Sequence, residues 1–235
     1  MKKIFLSLLT LVSLTYAKNV YATFDVAAQK SANLAFTASG IVQNVNVDIG
    51  SVVQKDQILA ELDNEDIKAM LKKTQIVLKF AKRELARQKK IKNLIDASKY
   101  DKVLSNYENA QASVAYQEAL YEKTILKAPF AGIIYDKNIE VGDAVSGMML
   151  KTVFKIQSLH ARKLILKFDQ KYHNVVKVGQ TFVYKVDGDN KTYKGVISKV
   201  YPYANFNDRK MKAEVKAKDF TVGLFGDGMI LVDGK

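Results

Sequence analysis

Apolar and polar residues alternate in two matching stretches of the chain, each running from one glycine to another ten positions on. The first is GIVQNVNVDIG at Gly40–Gly50, and the second is GIIYDKNIEVG at Gly132–Gly142. A strand-like run follows each copy, at Gln57–Leu62 and at Thr152–Ile156. Alternation with a period of two predicts β-strands, and glycine suits the turns between them. We therefore predict two related half-units that pack on one another like the sheets of a small sandwich.

Between the two copies, residues 64–126 contain no Gly or Pro and are rich in Ala, Lys, Glu, Gln and Leu. This composition favours helix. Apolar positions recur near the helical period in two series, and around Asn93–Ser98 the pattern breaks, where Ser98 and Asp101 have capping-box spacing. The series are Ile67, Leu71, Val77, Leu78, Ala81, Leu85, Ile91, Ile95 and then Tyr100, Leu104, Tyr107, Gln111, Val114, Glu118, Tyr121, Ile125. We predict an antiparallel hairpin of two helices, each about 30 residues and about 45 Å long.

After the second copy, the pattern changes to short alternating runs separated by turns. Strands are expected at Leu164–Phe168, Thr181–Val186, Thr192–Tyr201 and Met211–Ala217. The segment Asp187–Asn190 is a hairpin signal, and Asp169–Val178 has the pattern of one short amphipathic helix. We predict a small antiparallel β-barrel for this region. A strand at Leu34–Ala38, which precedes the first copy of the repeat, is expected to join it.

The composition is that of a globular protein, with 235 residues of which 48% are hydrophobic and 26% charged. A chain without Cys has no disulfide, thiol nucleophile or Cys-ligated metal, and its two His cannot form a multi-His centre. No Gly-x-Ser-x-Gly, phosphate-loop or His-Glu-x-x-His motif is present, and His160 and His173 lie on separate predicted elements. Met148 and Met149 could bind a soft metal, but a turn contact is the simpler interpretation. We predict no enzymatic activity, no cofactor and no metal.

The formal net charge of +13 raises the question of an anionic partner. Most of the surplus lies on the first predicted helix, where residues 68–92 contain ten Lys or Arg against Glu84 alone. Residues 98–126 contain three Lys against four acids. Two interpretations of the basic helix stay open, a solvated face and packing between unlike faces of neighbouring hairpins. A third interpretation belongs to a different functional class: this helix would bind lipid or nucleic acid.

The N-terminus has the order of a secretory signal, with a basic start at Met1–Lys3, an apolar run at Ile4–Val12 and a small-x-small end. Two cleavage positions fit, after Ala17 and after Ala22, so the signal is 1–17 or 1–22. The alternative is a membrane anchor, but the apolar run is shorter than the roughly 20 residues that span a bilayer. We expect an exported, periplasmic protein, which argues against a nucleic-acid partner.

Three segments carry a resemblance to a known family: TILKAPFAGII at Thr124–Ile134, VKVGQTFVYKV at Val176–Val186 and LFGDGM at Leu224–Met229. Together with the split repeat and the inserted hairpin, they resemble the membrane-fusion-protein family, the periplasmic adaptor subunits of efflux pumps and type I secretion systems. The family's usual Pro before the last Gly-Met is Asp227 here. The resemblance covers residues 35–232. It implies a mixed α and β fold, mainly β, with a split lipoyl-like domain, an inserted coiled-coil α-hairpin and a small antiparallel β-barrel.

The implied domains follow the pattern of the chain. They are an N-terminal barrel strand at 23–38, the first lipoyl-like half at 39–63, the α-helical hairpin at 64–126, the second half at 127–159 and the barrel at 160–235. Lipoyl carriers hold a modified Lys on a tight turn between the halves. Because 63 residues replace that turn here, we do not expect a swinging-arm carrier.

The resemblance also implies a site at the hairpin tip. Family members that dock on tunnel-type outer-membrane channels carry Arg, then Leu four positions on, then Ser seven positions further; Arg87, Ile91 and Ser98 stand at those steps. The apolar side chain would enter a groove between channel helices, with Arg and Ser hydrogen bonds beside it. The alternative is that Ser98 is only a helix cap and Arg87 only a surface charge.

The function implied by this resemblance is that of a periplasmic adaptor in drug or toxic-compound efflux. It would link an inner-membrane resistance-nodulation-division transporter to an outer-membrane channel and would self-associate, as six copies in a ring. One alternative is an adaptor of an ATP-driven exporter or type I secretion system. The other is a basic protein that binds polyanions or membrane surfaces.

Overall fold

The structure of the chain, a computed structural model, describes residues 19–232. These residues contain two long helices, α1 (Glu65–Lys90) and α2 (Ala97–Glu122). The strands before them are β1 (Val20–Ala28), β2 (Ser31–Leu34), β3 (Gly40–Val45), β4 (Val52–Val53) and β5 (Ile58–Leu62). The strands after them are β6 (Ile125–Lys127), β7 (Gly132–Lys137), β8 (Ala144–Val145), β9 (Phe154–Gln157), β10 (Arg162–Asp169), β11 (Thr181–Val186), β12 (Tyr193–Ala204), β13 (Lys210–Ala217) and β14 (Phe225–Ile230). No helix in this described part is long and apolar enough to span a membrane.

The described residues divide into two compact units, one formed by 19–29 with 160–232 and the other by 30–159. The first unit is a closed antiparallel barrel with strand order β1-β10-β13-β12-β11-β14. The second contains two four-stranded sheets, ordered β2-β9-β7-β4 and β6-β5-β3-β8, together with the helical hairpin. The predicted fold class, a split lipoyl-like domain with an inserted hairpin plus a barrel, is confirmed.

The barrel closes because alternate residues of its strands point to one core. In β10, Leu164, Leu166 and Phe168 are buried while the residues between them are partly exposed. Phe24 of β1 packs edge-on against Phe182, with ring centroids 5.8 Å apart. Such aromatic pairs add to the free energy gained by burying the rings themselves. The predicted turn at Asp187–Asn190 does join two paired strands, β11 and β12.

Two predictions for the barrel are wrong. The strand that comes from before the repeat is β1, not Leu34–Ala38, because Leu34 pairs with Phe154 in the sandwich and Phe36 is buried in the sandwich core. The segment Asp169–Val178 contains only one 3-10 turn, Gln170–Tyr172, instead of an amphipathic helix. Its apolar residue Val176 turns into the barrel core, and this contact does not require a helix.

The N-terminal signal prediction lies mostly outside the described residues. Val20 and Ala22, however, are buried in the barrel core as part of β1. A chain cut after Ala22 would lack three residues of that strand, whereas a chain cut after Ala17 would keep all of it.

The two sequence repeats form the sandwich by exchanging hydrogen bonds at equivalent positions. The amide of Gly50 donates to the carbonyl of Ile134 at 2.8 Å, and the amide of Gly142 donates to the carbonyl of Val42 at 2.9 Å. Both glycines have positive φ, +88° and +94°, which residues with a Cβ seldom adopt. Strand pairing crosses between the copies, with β4 beside β7 and β3 beside β8. Each sheet therefore contains strands from both halves, rather than one half each.

The hairpin is built from two helices of 26 residues each, about 39 Å long. At its base, the buried amide of Asn64 donates to the hydroxyl of Thr124 at 3.0 Å, and this bond ties the start of α1 to the end of α2. The helices share a narrow seam. On α1, the seam consists of half-buried residues: Ile67, Leu71, Thr74, Leu78, Ala81, Leu85 and Gln88.

The seam on α2 differs from the predicted series. Ala110 and Val114 are its only fully buried side chains in the described helix, and Gln111 and Glu118 are exposed. Ala110 and Gln117 take the places predicted for those two residues. The prediction failed there because small or polar residues at the seam give no hydrophobic signal.

Candidate functional site

The three residues predicted at the hairpin tip lie where the two helices are joined. Arg87 is in the last turn of α1, Ile91 follows the last residue of that helix, and Ser98 is the second residue of α2. A short 3-10 turn, Lys92–Leu94, connects them. The chain therefore brings all three to the end of the hairpin that is opposite its base.

Ile91 is presented on a fixed backbone. Its amide donates to the carbonyl of Gln88 at 3.2 Å, and its own carbonyl accepts from the amide of Leu94 at 2.8 Å. Its side chain is 42% exposed. An apolar side chain in such a position can enter a groove on a partner without reordering its own backbone, which lowers the entropy lost on binding.

Arg87 is oriented by its neighbour on the helix. Its guanidinium forms an ion pair with Glu84, and Glu84 also accepts a hydrogen bond from the side-chain amide of Gln88 at 2.8 Å. These bonds, first from Gln88 and then from Arg87, lower the pKa of the Glu84 carboxyl below its usual value. The carboxylate is thus charged at neutral pH and holds Arg87 at the helix surface.

Ser98 does not cap α2. The cap is Asp96, whose carboxylate accepts from the amide of Ser98 at 2.8 Å. The capping role that the Ser98 and Asp101 spacing predicted is therefore wrong, because the chain turns two residues earlier. The Ser98 hydroxyl has no hydrogen-bond partner within residues 19–232, and the side chain is exposed.

Leu94 is a tip residue that the sequence reasoning missed. It is 84% exposed, twice as much as Ile91, and it sits in the 3-10 turn that joins the helices. A hydrophobic residue in a short connection between two long helices would have been a usable signal, since connections are normally polar. The tip thus offers two apolar side chains, with Arg87 and Ser98 beside them.

One side of α1, with both apolar and charged residues, continues from the tip toward the middle of the hairpin. Val77, Phe80, Glu84, Arg87 and Ile91 follow one another in steps of three and four, so they lie along one side of the helix. All of these except Ile91 border, together with Ile76, an open groove of about 750 Å³, which we call the outer groove. Its other wall, on α2, consists of Val103, Asn106, Asn109, Ala110 and Ser113.

The other candidate residues are not gathered into a site. His160 lies 2.6 Å from a carboxylate oxygen of Asp219 and is exposed. Met148 and Met149 are exposed in the connection between β8 and β9. Between Asn19 and Val232, no group of three or more His, Asp or Glu side chains is placed to hold a metal ion.

The profile of the CzcB-like, barrel-sandwich hybrid domain family matches residues 30–157, which include both repeats and the hairpin. No curated protein sequence matches the chain.

Several solved structures share the fold. A MacA-MexA chimeric protein containing the Pseudomonas aeruginosa MexA α-hairpin domain is 20% identical, with 92% of this chain and 82% of that one covered and a TM-score of 0.82. MacA from Actinobacillus actinomycetemcomitans is 19% identical, with 92% and 79% covered and a TM-score of 0.77. The membrane fusion protein Spr0693 from Streptococcus pneumoniae R6 is 15% identical, with 92% and 99% covered and a TM-score of 0.71.

Proposed function

We propose that this chain, which belongs to the CzcB-like barrel-sandwich hybrid family and has the fold of a membrane fusion protein, is a periplasmic adaptor of an efflux pump that joins an inner-membrane transporter to an outer-membrane channel. The role is mechanical and involves no reaction. The observation that carries the proposal is the pair of exposed apolar side chains, Ile91 and Leu94, on the tip of a long hairpin. Apolar side chains that are exposed together, with polar groups at their edge, are typical of a surface that a partner covers.

We assign channel docking to the tip. Ile91 and Leu94 supply the apolar contact, while Arg87 and Ser98 supply hydrogen-bond donors beside it. Arg87 is already oriented by Glu84, and the Ser98 hydroxyl is free because Asp96 caps α2. A fixed arginine and an unbound hydroxyl can both bond to carbonyl or carboxylate groups at a turn between channel helices.

We assign self-association to the sides of the hairpin, with six copies in a ring. The outer groove contains exposed Ile76, Val77 and Phe80, and the helix around them is strongly basic. On α2, the acids Asp101, Glu108, Glu118 and Glu122 outnumber the bases. Rotation of one copy onto the next would set α2 of one hairpin against α1 of its neighbour, so apolar burial and opposite charge act together.

For the transporter we propose one of the resistance-nodulation-division type. An ATP-driven transporter is the alternative within the same adaptor role. Purification of the tagged protein after crosslinking in its own cells, followed by identification of the captured membrane protein, distinguishes them. Recovery of an ATPase subunit in place of a large proton-driven transporter would replace the first assignment by the second.

The tip assignment is tested by Ile91→Asp and Arg87→Asp. Each should reduce crosslinking to the outer-membrane channel by about tenfold or more, with a matching loss of efflux, because residues at the centre of an interface carry most of the binding energy. Met148→Asp and Lys151→Asp are the matched controls, since both residues are exposed outside the hairpin.

Unchanged crosslinking and efflux in the tip variants would show that the tip does not dock. Binding to polyanions that survives Ile91→Asp but disappears with added salt would instead support the alternative in which the basic helix is the functional surface.

A further inference from the structure

Both ends of the described chain and two connections meet at one rim of the barrel. β1 begins there, β14 ends there, and Val20 pairs with Ile230. The connection from β10 to β11 and the turn from β12 to β13 lie at the same rim, because Asp169 pairs with Lys210. The chain passes to the second unit from the opposite rim, where Ala28 pairs with Arg162. We call the first of these the free rim and define it by residues 170–180 and 203–210.

A phenylalanine stands out from the free rim on an ordered turn. Phe206 is 98% exposed. The turn that carries it is closed by a bond from the amide of Arg209 to the carbonyl of Asn205 at 2.8 Å, and by one from the amide of Asn205 to the carbonyl of Lys210 at 2.9 Å. The side-chain oxygen of Asn205 also accepts from the amide of Asn207 at 2.9 Å. The ring is thus held out into solvent by a hydrogen-bonded turn rather than by an unstructured loop.

The neighbouring connection presents a second apolar residue in the same way. Val178 is exposed, and the side chain of Gln180 holds its turn in place. That side chain accepts from the amide of Lys177 at 2.9 Å and donates to the carbonyl of Val175 at 2.9 Å. Tyr203, at the end of β12, is also more than half exposed.

The charge of the free rim and its border is positive. Lys177, Arg209 and Lys210 form no ion pair within residues 19–232, whereas Lys171 lies 3.7 Å from Asp169. The only other carboxylate in these connections, that of Asp208, accepts from the backbone amide of Lys210 at 3.0 Å. Four bases against two acids leave an excess of two positive charges around the exposed ring.

We propose that the free rim binds the surface of an anionic phospholipid bilayer, with Phe206 and Val178 entering the interface and Lys177, Arg209 and Lys210 contacting lipid phosphates. This inference goes beyond the adaptor role and does not depend on it. Apolar tips surrounded by Lys and Arg match the interface between acyl chains and anionic headgroups. A bilayer accepts such a projecting ring without a preformed pocket.

The absence of Trp from the chain makes a local test possible. Phe206→Trp places the only tryptophan of the chain at the free rim, where it can be excited selectively over the tyrosines at the long-wavelength edge of its absorption band, and Leu94→Trp places one at the hairpin tip as the matched exposed control. With vesicles of phosphatidylethanolamine and phosphatidylglycerol, we expect the emission of the first variant to shift to the blue and to be quenched by brominated lipid. With phosphatidylcholine vesicles alone it should change little. The second variant should not respond to either.

Charge reversal tests the phosphate contacts. The pair Arg209→Glu and Lys210→Glu should weaken binding to the anionic vesicles by about tenfold or more, since each base near such a surface contributes about fivefold. The pair Lys89→Glu and Lys90→Glu on α1 makes the same change in net charge and should weaken it less. Melting curves of both pairs should match the parent chain, because all four residues are exposed.

Three results would overturn the proposal. One is an unchanged emission of the Phe206→Trp variant with anionic vesicles. Another is a greater loss of binding in the α1 pair than in the rim pair, which would assign lipid binding to the helix. The third is shielding of the rim fluorophore only when purified transporter is added, which would assign the rim to a protein partner. Vesicle binding needs neither transporter nor channel, so loss of efflux in the tip variants leaves this test unaffected.

Discussion

The barrel and the helical hairpin differ in how much of their stability each obtains from its own core. Sixteen buried residues form the barrel cluster, among them Phe24, Phe168 and Phe182. In the hairpin, α1 has no buried residue and α2 has only Ala110 and Val114. Two helices in contact can bury only the strip along which they touch, whereas a closed sheet buries one face of every strand.

This difference shows which part of the molecule obtains most of its stability from its own core and which part gains stability from a partner. Most large apolar residues of the barrel strands point into its core, while Phe206 and Val178 lie outside that core, in the connections at the free rim. In the hairpin, Ile76, Val77 and Phe80 remain on the surface. A stretch that folds with apolar side chains still exposed gains free energy when another molecule covers them. Substitutions in the barrel should therefore change stability, and equivalent substitutions on the outer face of the hairpin should change association.

Phe24→Ala against Phe80→Ala is the most direct test of the contrast and has the largest expected effect. Phe24 is 1% exposed and Phe80 is 59% exposed. Loss of a buried phenylalanine costs about 3–5 kcal/mol, and an exposed change costs about 0.5 kcal/mol or less. Urea unfolding of the monomer, monitored by hydrogen exchange in the barrel and in the hairpin, measures the loss of stability in both variants.

Phe80→Ala should instead weaken self-association, which sedimentation velocity detects. Equal losses of stability in the two variants would contradict the contrast between barrel and hairpin.

A carboxylate in the barrel wall gives the second, intermediate effect. Glu214 accepts from the hydroxyl of Tyr201 at 2.6 Å and from the ammonium of Lys163 at 3.0 Å. Burial raises the pKa of the Glu214 carboxyl, but the bonds from Tyr201 and Lys163 outweigh it and leave the pKa below its usual value of 4.5. The same bond raises the pKa of Tyr201 to about 12. Glu214→Gln should cost about 2 kcal/mol at neutral pH, because hydrogen bonds to a charged group are replaced by weaker ones.

The sign of the pH dependence follows from the lowered pKa. The contribution of Glu214 is fully present above the unfolded value near 4.5 and is lost as pH falls through the lower folded value. The parent barrel should therefore lose stability more steeply on acidification than Glu214→Gln, as measured by urea unfolding at a series of pH values. Glu118→Gln, at an exposed position on α2, is the control and should leave the slope unchanged. Parallel slopes for the parent and Glu214→Gln would disprove the assignment.

Val114→Ala has the smallest expected effect of the three. The side chain is buried in the thin seam of the hairpin, and its loss should cost about 1 kcal/mol, since part of the packing penalty is offset by the higher helix propensity of Ala. Circular dichroism at the helix band during urea unfolding measures it. Tyr116→Ala on the exposed side of α2 should be near neutral. If it costs as much as Val114→Ala, the seam has been assigned to the wrong face.

The sequence predicted the parts of the fold in which the periodic pattern of apolar residues fits only one type of secondary structure. The repeats at Gly40–Gly50 and Gly132–Gly142 and the Gly-free insertion between them have strong periods and clear boundaries, so the sandwich and the hairpin could be predicted. The exchange of strands between the halves could not, because alternation shows which side of a strand is buried but not which strand lies next to it. The same limit misplaced Leu34–Ala38, whose buried residues belong to a different core.

The tip was predicted only in part. Arg87, Ile91 and Ser98 came from a resemblance, and their role in docking remains a prediction. Leu94 was not predicted because it lies in the turn between the helices, where the helical period does not continue. The cap was misassigned because Asp96 and Ser98 are both good N-cap residues, and only the backbone conformation decides between them. Phe206 could not have been found by pattern, since a single aromatic residue in a turn has no period.

The pairing of Ala28 with Arg162 has a consequence for the order in which the chain folds. About 130 residues separate these partners, but Ser31 of β2 pairs with Gln157 of β9, so folding of the segment between them brings its two ends together and removes most of the entropic cost of closing so long a loop. Residues 30–157 can acquire their structure before that meeting takes place. As the chain emerges, β1 must therefore wait as an unpaired strand until its partners are available, which is the interval in which a chaperone would be most useful.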